Sequence, residues 1–135
     1  MSIFSIDEPR EGVQDPWEEV FAQWGMAVSA IVGEDGYSAD NTTTVAKFPF
    51  ARLLLTGAPT ADMDLYGNET AIQPAFTVES FAMGNGALTL ARRIDAASHA
   101  AMISMGYRRT YGPSVIENTD SNIKRIVSRY IGLYT

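Results

Sequence analysis

The sequence predicts an α+β domain: a mostly antiparallel or mixed β-sheet of about four to five strands with two α-helices packed on one face. Two stretches, residues 15–32 and 87–105, repeat their apolar residues at helical spacing. The segments between and after them are short, rich in β-branched and aromatic residues, and punctuated by Gly, Pro, Asn and Asp. The length, 135 residues with 46% apolar side chains, suits one domain with a true core. Residues 1–16 are polar and acidic without periodicity, an expected extended or mobile arm, and residues 17–135 form the expected domain.

The first helix is expected to start with Asp15 as N-cap and Pro16 as its first residue, with Glu18 and Glu19 favouring the positive helix end. Trp17, Val20, Phe21, Trp24, Val28 and Ile31 then fall on one stripe. Two tryptophans there are either core packing or an aromatic platform for a ligand; packing against a sheet is the simpler reading. Gly33 and Asp35-Gly36 end the helix, and residues 33–44 read as a loop. Val45–Thr56 reads as a strand that either lies at an edge or begins after Pro49, because proline lacks a ladder donor. Ala61–Leu65 is a short strand, and Ala71–Ala82 is a longer one in which Pro74 marks an edge or a bulge. In it Ile72, Phe76 and Val78 face one way, and Gln73, Thr77 and Glu79 the other.

The second helix follows Gly84-Asn85-Gly86, with a buried stripe expected at Leu90, Ile94, Ala97, Ala101 and Met105 and a left-handed cap at Gly106. Tyr107–Tyr111 reads as a strand bent at Gly112-Pro113. After a polar turn at residues 118–122, Ile123–Tyr134 is the last strand. Ile126 and Tyr130 lie on one of its faces and Val127, Ile131 and Leu133 on the other, so one face meets the helices and the other is free for a neighbouring subunit.

Composition narrows the chemistry. There is no cysteine, hence no disulfide, thiolate nucleophile or zinc ribbon. No apolar run approaches a membrane span, and the acidic N-terminus lacks the features of a secretion signal. The net charge of −6 is unevenly spread: the first 86 residues hold 13 acidic and 3 basic side chains, and the remainder holds 3 and 7. An acidic total argues against ordinary nucleic-acid binding. The asymmetry suits head-to-tail pairing between identical subunits, unless folding mixes the charges over one surface.

No arrangement of side chains amounts to an active site. Gly84-x-Gly86 lacks the third glycine of a dinucleotide loop, so a plain strand-to-helix turn is expected. His99 is the only histidine and falls off the expected buried stripe, at the surface or in an interface. Asp62, Asp64 and Glu69 form an acidic group with no identifiable further ligand or base. Arg108, Arg109, Lys124, Arg125 and Arg129 lie on two adjacent strands among Tyr107, Tyr111 and Tyr130. Basic and aromatic residues together serve single-stranded nucleic acid or protein interfaces. The overall acidity favours the interface, with Arg108, Arg109, Tyr111, Arg125, Arg129 and Tyr130 as its candidate residues.

The last third of the chain carries a resemblance. Met105-Gly106-Tyr107-Arg108-Arg109-Thr110-Tyr111-Gly112-Pro113, then Glu117-Asn118-Thr119-Asp120, then Ile126-Val127-Ser128-Arg129-Tyr130 resembles the ending of tail-terminator (neck-terminator) proteins of tailed bacteriophages. Phe48-Pro49-Phe50, Val78-Glu79-Ser80-Phe81 and the helix from Ala91 to Met105 fit the same pattern, so the resemblance spans residues 45–134. It implies an α+β subunit that forms a ring, usually a hexamer. Such a ring caps the tail tube, docks to the head connector, and passes DNA through its lumen without sequence-specific binding. It implies no catalysis, cofactor or membrane, and a place in the virion after assembly in the host cytoplasm. Asp62, Asp64 and Glu69 would then suit an acidic lumen that repels phosphate, or simply a loop. The alternatives are a head-closure (stopper) or other head–tail joining protein and, in a different class, a small ligand-binding domain or enzyme.

Overall fold

Helix α1 (Trp17–Val32) forms on the expected stripe. The computed structural model describes residues 16–39, 47–57, 60–63, 69–117 and 120–132. The expected arm lies outside these residues except for Pro16, which is buried and serves as N-cap rather than first helical residue. Asp15, the expected cap, also lies outside them. Gly33, at φ +86°, closes the helix by donating to the Ser29 carbonyl at 2.8 Å. Val20, Trp24, Gly25, Val28 and Val32 are buried, with Trp17, Phe21 and Ile31 packed beside them.

The expected loop at 33–44 contains a strand. Strand β1 (Tyr37–Ser38) pairs in parallel with Ala51 and Arg52 of β2 (Phe50–Gly57). Its anchor is the Tyr37 ring, 5.8 Å from Phe21 and 5.7 Å from Trp24. A Cβ on Gly25 would stand 2.6 Å from Cε2 of that ring, so the glycine is what lets β1 close on α1. Strand β2 begins directly after Pro49, one of the two alternatives for that segment.

Strands β3 (Thr60–Met63) and β4 (Glu69–Ile72) form a separate two-stranded sheet. The strand expected over 71–82 is thus two strands, because Gln73 and the buried Pro74 separate β4 from β5 (Ala75–Met83). Nor is the second part an edge. The main sheet contains β6 (Arg108–Ile116) and β7 (Ile123–Ile131), its order is β1-β2-β5-β7-β6, and β5 is its centre. All pairings except β1–β2 are antiparallel. The proline therefore marks a joint between two sheets.

Helix α2 (Ala87–Ser104) buries Ala87, Ala91, Ile94, Asp95, Ser98 and Met102. Of the expected stripe Ile94 is fully buried, Leu90 and Met105 are half-buried against the core, and the fully buried face is turned toward Asp95 and Ser98. Two of the expected positions, Ala97 and Ala101, are alanines, which carry little information about helix phase, and two polar residues, Asp95 and Ser98, take part in the buried face. Gly106 adopts φ +95°, the left-handed conformation expected there. Beyond it, β6 continues through Gly112-Pro113 to Ile116 where a bend was expected, and its register against β7 shifts on both sides of Tyr111. An edge strand tolerates the missing donor of Pro113. Gly112 has φ +89° and no room for a Cβ, which would lie 2.3 Å from the Val127 carbonyl oxygen. The last strand stops at Ile131; Leu133 and Tyr134 lie outside the described residues.

Both helices lie on one face of the main sheet, α1 over β1 and β2, and α2 over β5, β7 and β6. Trp24, Leu53, Phe76, Val78, Ile94, Met102 and Tyr130 form the core between the layers. A smaller cluster of Ala82, Ala87, Ala91 and Ile126 seats the first half of α2 on the sheet.

Candidate functional site

Strand alternation divides the six expected interface residues between the two faces of the sheet. Arg109 pairs with Tyr130, whose side chain is in the core, so both point to the helix side. There they surround the buried Asp95. Ser128 Oγ donates to Asp95 Oδ1 at 2.7 Å, and Arg109 Nη2 lies 3.3 Å from Asp95 Oδ2. The same Arg109 nitrogen donates to Tyr130 Oη at 3.3 Å, and His99 Nδ1 lies 3.2 Å from that oxygen. Burial raises the Tyr130 phenol above its ordinary pKa, against the lowering influence of Arg109. One turn along α2 from Asp95, Ser98 Oγ accepts a hydrogen bond from Trp24 Nε1 at 2.8 Å. Arg109 and Tyr130 are therefore internal ties between α2 and the sheet. His99, expected off the buried face, is half-buried and belongs to the same network.

The opposite face is organised around Glu79. Arg52 Nε donates to Glu79 Oε1 at 2.8 Å, and Arg125 pairs with Oε2. Both guanidiniums lie over the Phe81 ring, at 5.4 Å and 6.0 Å from its centroid. Burial by itself raises a carboxyl pKa; the hydrogen bonds and charges of Arg125 and Arg52 outweigh it and hold Glu79 below its ordinary value. Arg125 is thus partnered within the chain. Arg129 is exposed and stacks on Tyr111 at 4.8 Å, while Arg108 is exposed at the start of β6. Of the six candidates, Arg108, Tyr111 and Arg129 are the ones presented to the surface.

Asp62 stands opposite Ala71 and Glu69 opposite Met63 in the β3–β4 ladder, and Asp64 lies outside the described residues. Gly84-Asn85-Gly86 forms the expected turn, with Gly86 at φ +72° as the N-cap of α2 and no side-chain cap. Among the described residues no three His, Asp or Glu side chains gather as metal ligands. Nor is any described helix long and apolar enough to cross a membrane.

Asp95 and Glu79, the two carboxylates on which the arginines converge, were not singled out from the sequence as ion-pair centres. For Glu79 the signal was present: it occupies the same face of a strand as the arginines of its neighbours. For Asp95 it was hidden by the misphased helix stripe.

No family model matches the chain, and no curated protein does. Among solved structures, it is similar to a chain of the virion of a native gene transfer agent particle. The TM-score is 0.62 and the identity 14%, over 85% of this chain and 90% of that one. The two chains share a fold.

Proposed function

We propose that the chain is a structural protein of a tailed phage or phage-like particle, and within it the tail terminator. The observation that carries the coarser reading is the fold shared with a virion subunit over 85% of the chain. The finer reading rests on the C-terminal motifs, which fall on α2, β6 and β7. In this role the protein forms a ring of six, caps the tail tube protein, and docks to the head connector or stopper protein. DNA passes through the lumen without sequence-specific binding. The work is mechanical, with no catalytic step, and its place is the virion neck after assembly in the host cytoplasm. The division of the arginines supports this reading: some are spent inside the subunit on Asp95 and Glu79, leaving Arg108 and Arg129 for contacts outside it.

Electron microscopy of particles assembled without the protein tests it. Tails of uncontrolled length are the expected result. Normal tails beside heads that leak DNA would assign the chain to head closure instead, and normal particles would remove it from the neck altogether.

A further inference from the structure

We infer that successive copies of this chain associate head-to-tail, with the outward face of α1 on one copy seated against the β6–β7 flank of the next. The inference deepens the ring reading above by naming its two contact surfaces, and its first support is the outward face of α1 itself. At about 100° per residue, Glu18, Glu19, Ala22, Gln23, Met26 and Ala30 occupy one arc opposite the buried stripe. All six are exposed, and Met26, at the centre of the arc, is 76% exposed. The solvent side of a surface helix is normally charged or polar along its length. Here charge is confined to the first turn, and beyond it the arc offers one polar residue, Gln23, with Ala22, Met26 and Ala30. Such a face suits a protein partner.

Charge identifies the partner. From Pro16 to Gly36 the chain has four acidic side chains, Glu18, Glu19, Glu34 and Asp35, all exposed, and no basic one. The helix rests on the β1–β2 side of the sheet. The far edge of the sheet is β6, where Arg108 and the neighbouring Arg129 are exposed. Large apolar groups accompany them, Tyr111 at 40% and Val115 at 52% exposure. At the other end of β6 a groove of about 240 Å³ is lined by Val115, Ile116, Glu117, Ser121, Ile123 and Lys124. The acidic-plus-apolar face of α1 and the basic-plus-apolar surface at Arg108, Tyr111 and Arg129 complement each other between copies. Because the two surfaces differ, the contact is heterologous and repeats around a ring. The free edge of β6 is interrupted by Pro113 and two register shifts, so it is a poor template for extending the sheet. The contact is therefore made by side chains, with a helix laid against the edge.

Charge reversal on each flank tests the inference. Glu19→Lys with Glu34→Lys makes both flanks basic, and Arg108→Glu with Arg129→Glu makes both acidic. By sedimentation velocity, each variant alone should associate at least tenfold more weakly than the unaltered full-length chain. An equimolar mixture should recover, because alternating copies restore every opposed pair. Met26→Gln, at an exposed site, should weaken association while leaving the melting of the subunit unchanged. Unaltered rings from both reversed variants would overturn the inference and leave the ring reading standing. Weak variants that fail to rescue one another would also overturn it. An open filament or a ring of another size, still rescued by mixing, would keep the inference and remove the ring of six. A chain that stays monomeric at millimolar concentration, with no cross-rescue of particle assembly by the two variants together, would overturn both.

Discussion

Trp24 shows how one side chain ties the two helices together. It is fully buried, its ring meets Tyr37 edge-on, and its indole N–H reaches Ser98 on α2. Trp24→Ala removes both packing and the hydrogen bond, and should cost about 3–5 kcal/mol in urea unfolding. A variant as stable as the parent would assign the tryptophan a role other than core packing. Glu79 gives a second residue-level test, through pH. Its folded-state pKa lies below the ordinary 4.5, so the unfolded chain takes up the proton first on acidification. The stability it contributes is fully present above that ordinary value and is lost as pH falls through the lowered one. Glu79→Gln should weaken folding at neutral pH, because two partly buried arginines lose their counter-charge. It should also flatten the acid limb of the stability profile, read as urea midpoints from about pH 7 to about pH 3. Parallel profiles for the parent and the variant would show that Glu79 contributes nothing to the acid response. The Ser80 hydroxyl is fully buried and without a hydrogen-bond partner among the described residues. Ser80→Ala should accordingly be neutral or stabilising by up to about 1 kcal/mol in the same measurement.

Elements differ in how plainly the sequence announces them. Helix α1 was legible in phase and extent because tryptophan, phenylalanine and valine at helical spacing leave little choice of buried side. Helix α2 was legible in extent only. Alanine fits either side of a helix, and burial of Asp95 and Ser98 depends on Ser128, Arg109 and Trp24, which are distant in sequence. The same distance explains the interface residues. A strand alternates visibly, but which of its faces receives the helices depends on its neighbours, so Arg109 and Tyr130 looked like surface residues while serving the interior. Pro74 was visible as a break in a strand; that it joins two sheets depends on pairings outside the segment. Strand β1 was missed because two residues carry no period, and its existence rests on Tyr37 fitting over Gly25. Gly25→Ala tests this link. In an open helix the change favours the helical state by about 1 kcal/mol. Here the new methyl group meets the Tyr37 ring, so a net loss of stability is expected, with faster amide exchange at Tyr37–Ser38 and Ala51–Arg52. A gain in stability with unchanged exchange would mean that the ring yields freely.

For the molecule as a whole, the layer arrangement was legible in the sequence, whereas the placement of its charges was not. Charge counts along the chain reveal an acidic first part and a basic remainder; among the described residues, the exposed acids of α1 and the turn after it form one surface and the exposed Arg108 and Arg129 another. If these surfaces attract between copies, raising salt from about 0.05 M to about 0.5 M should weaken association, as the screening length falls below the span of the contact. Salt-independent association would assign the contact to its apolar part. Each such contact would set an acidic surface of one copy against a basic surface of the next and so carry a dipole directed from copy to copy. In a closed head-to-tail ring these dipoles follow the circumference, tip to tail, and their vector sum is zero. A polyanion threaded along the axis would then feel no net axial pull from them in either direction, so this component of the subunit's field would neither drive nor brake its passage.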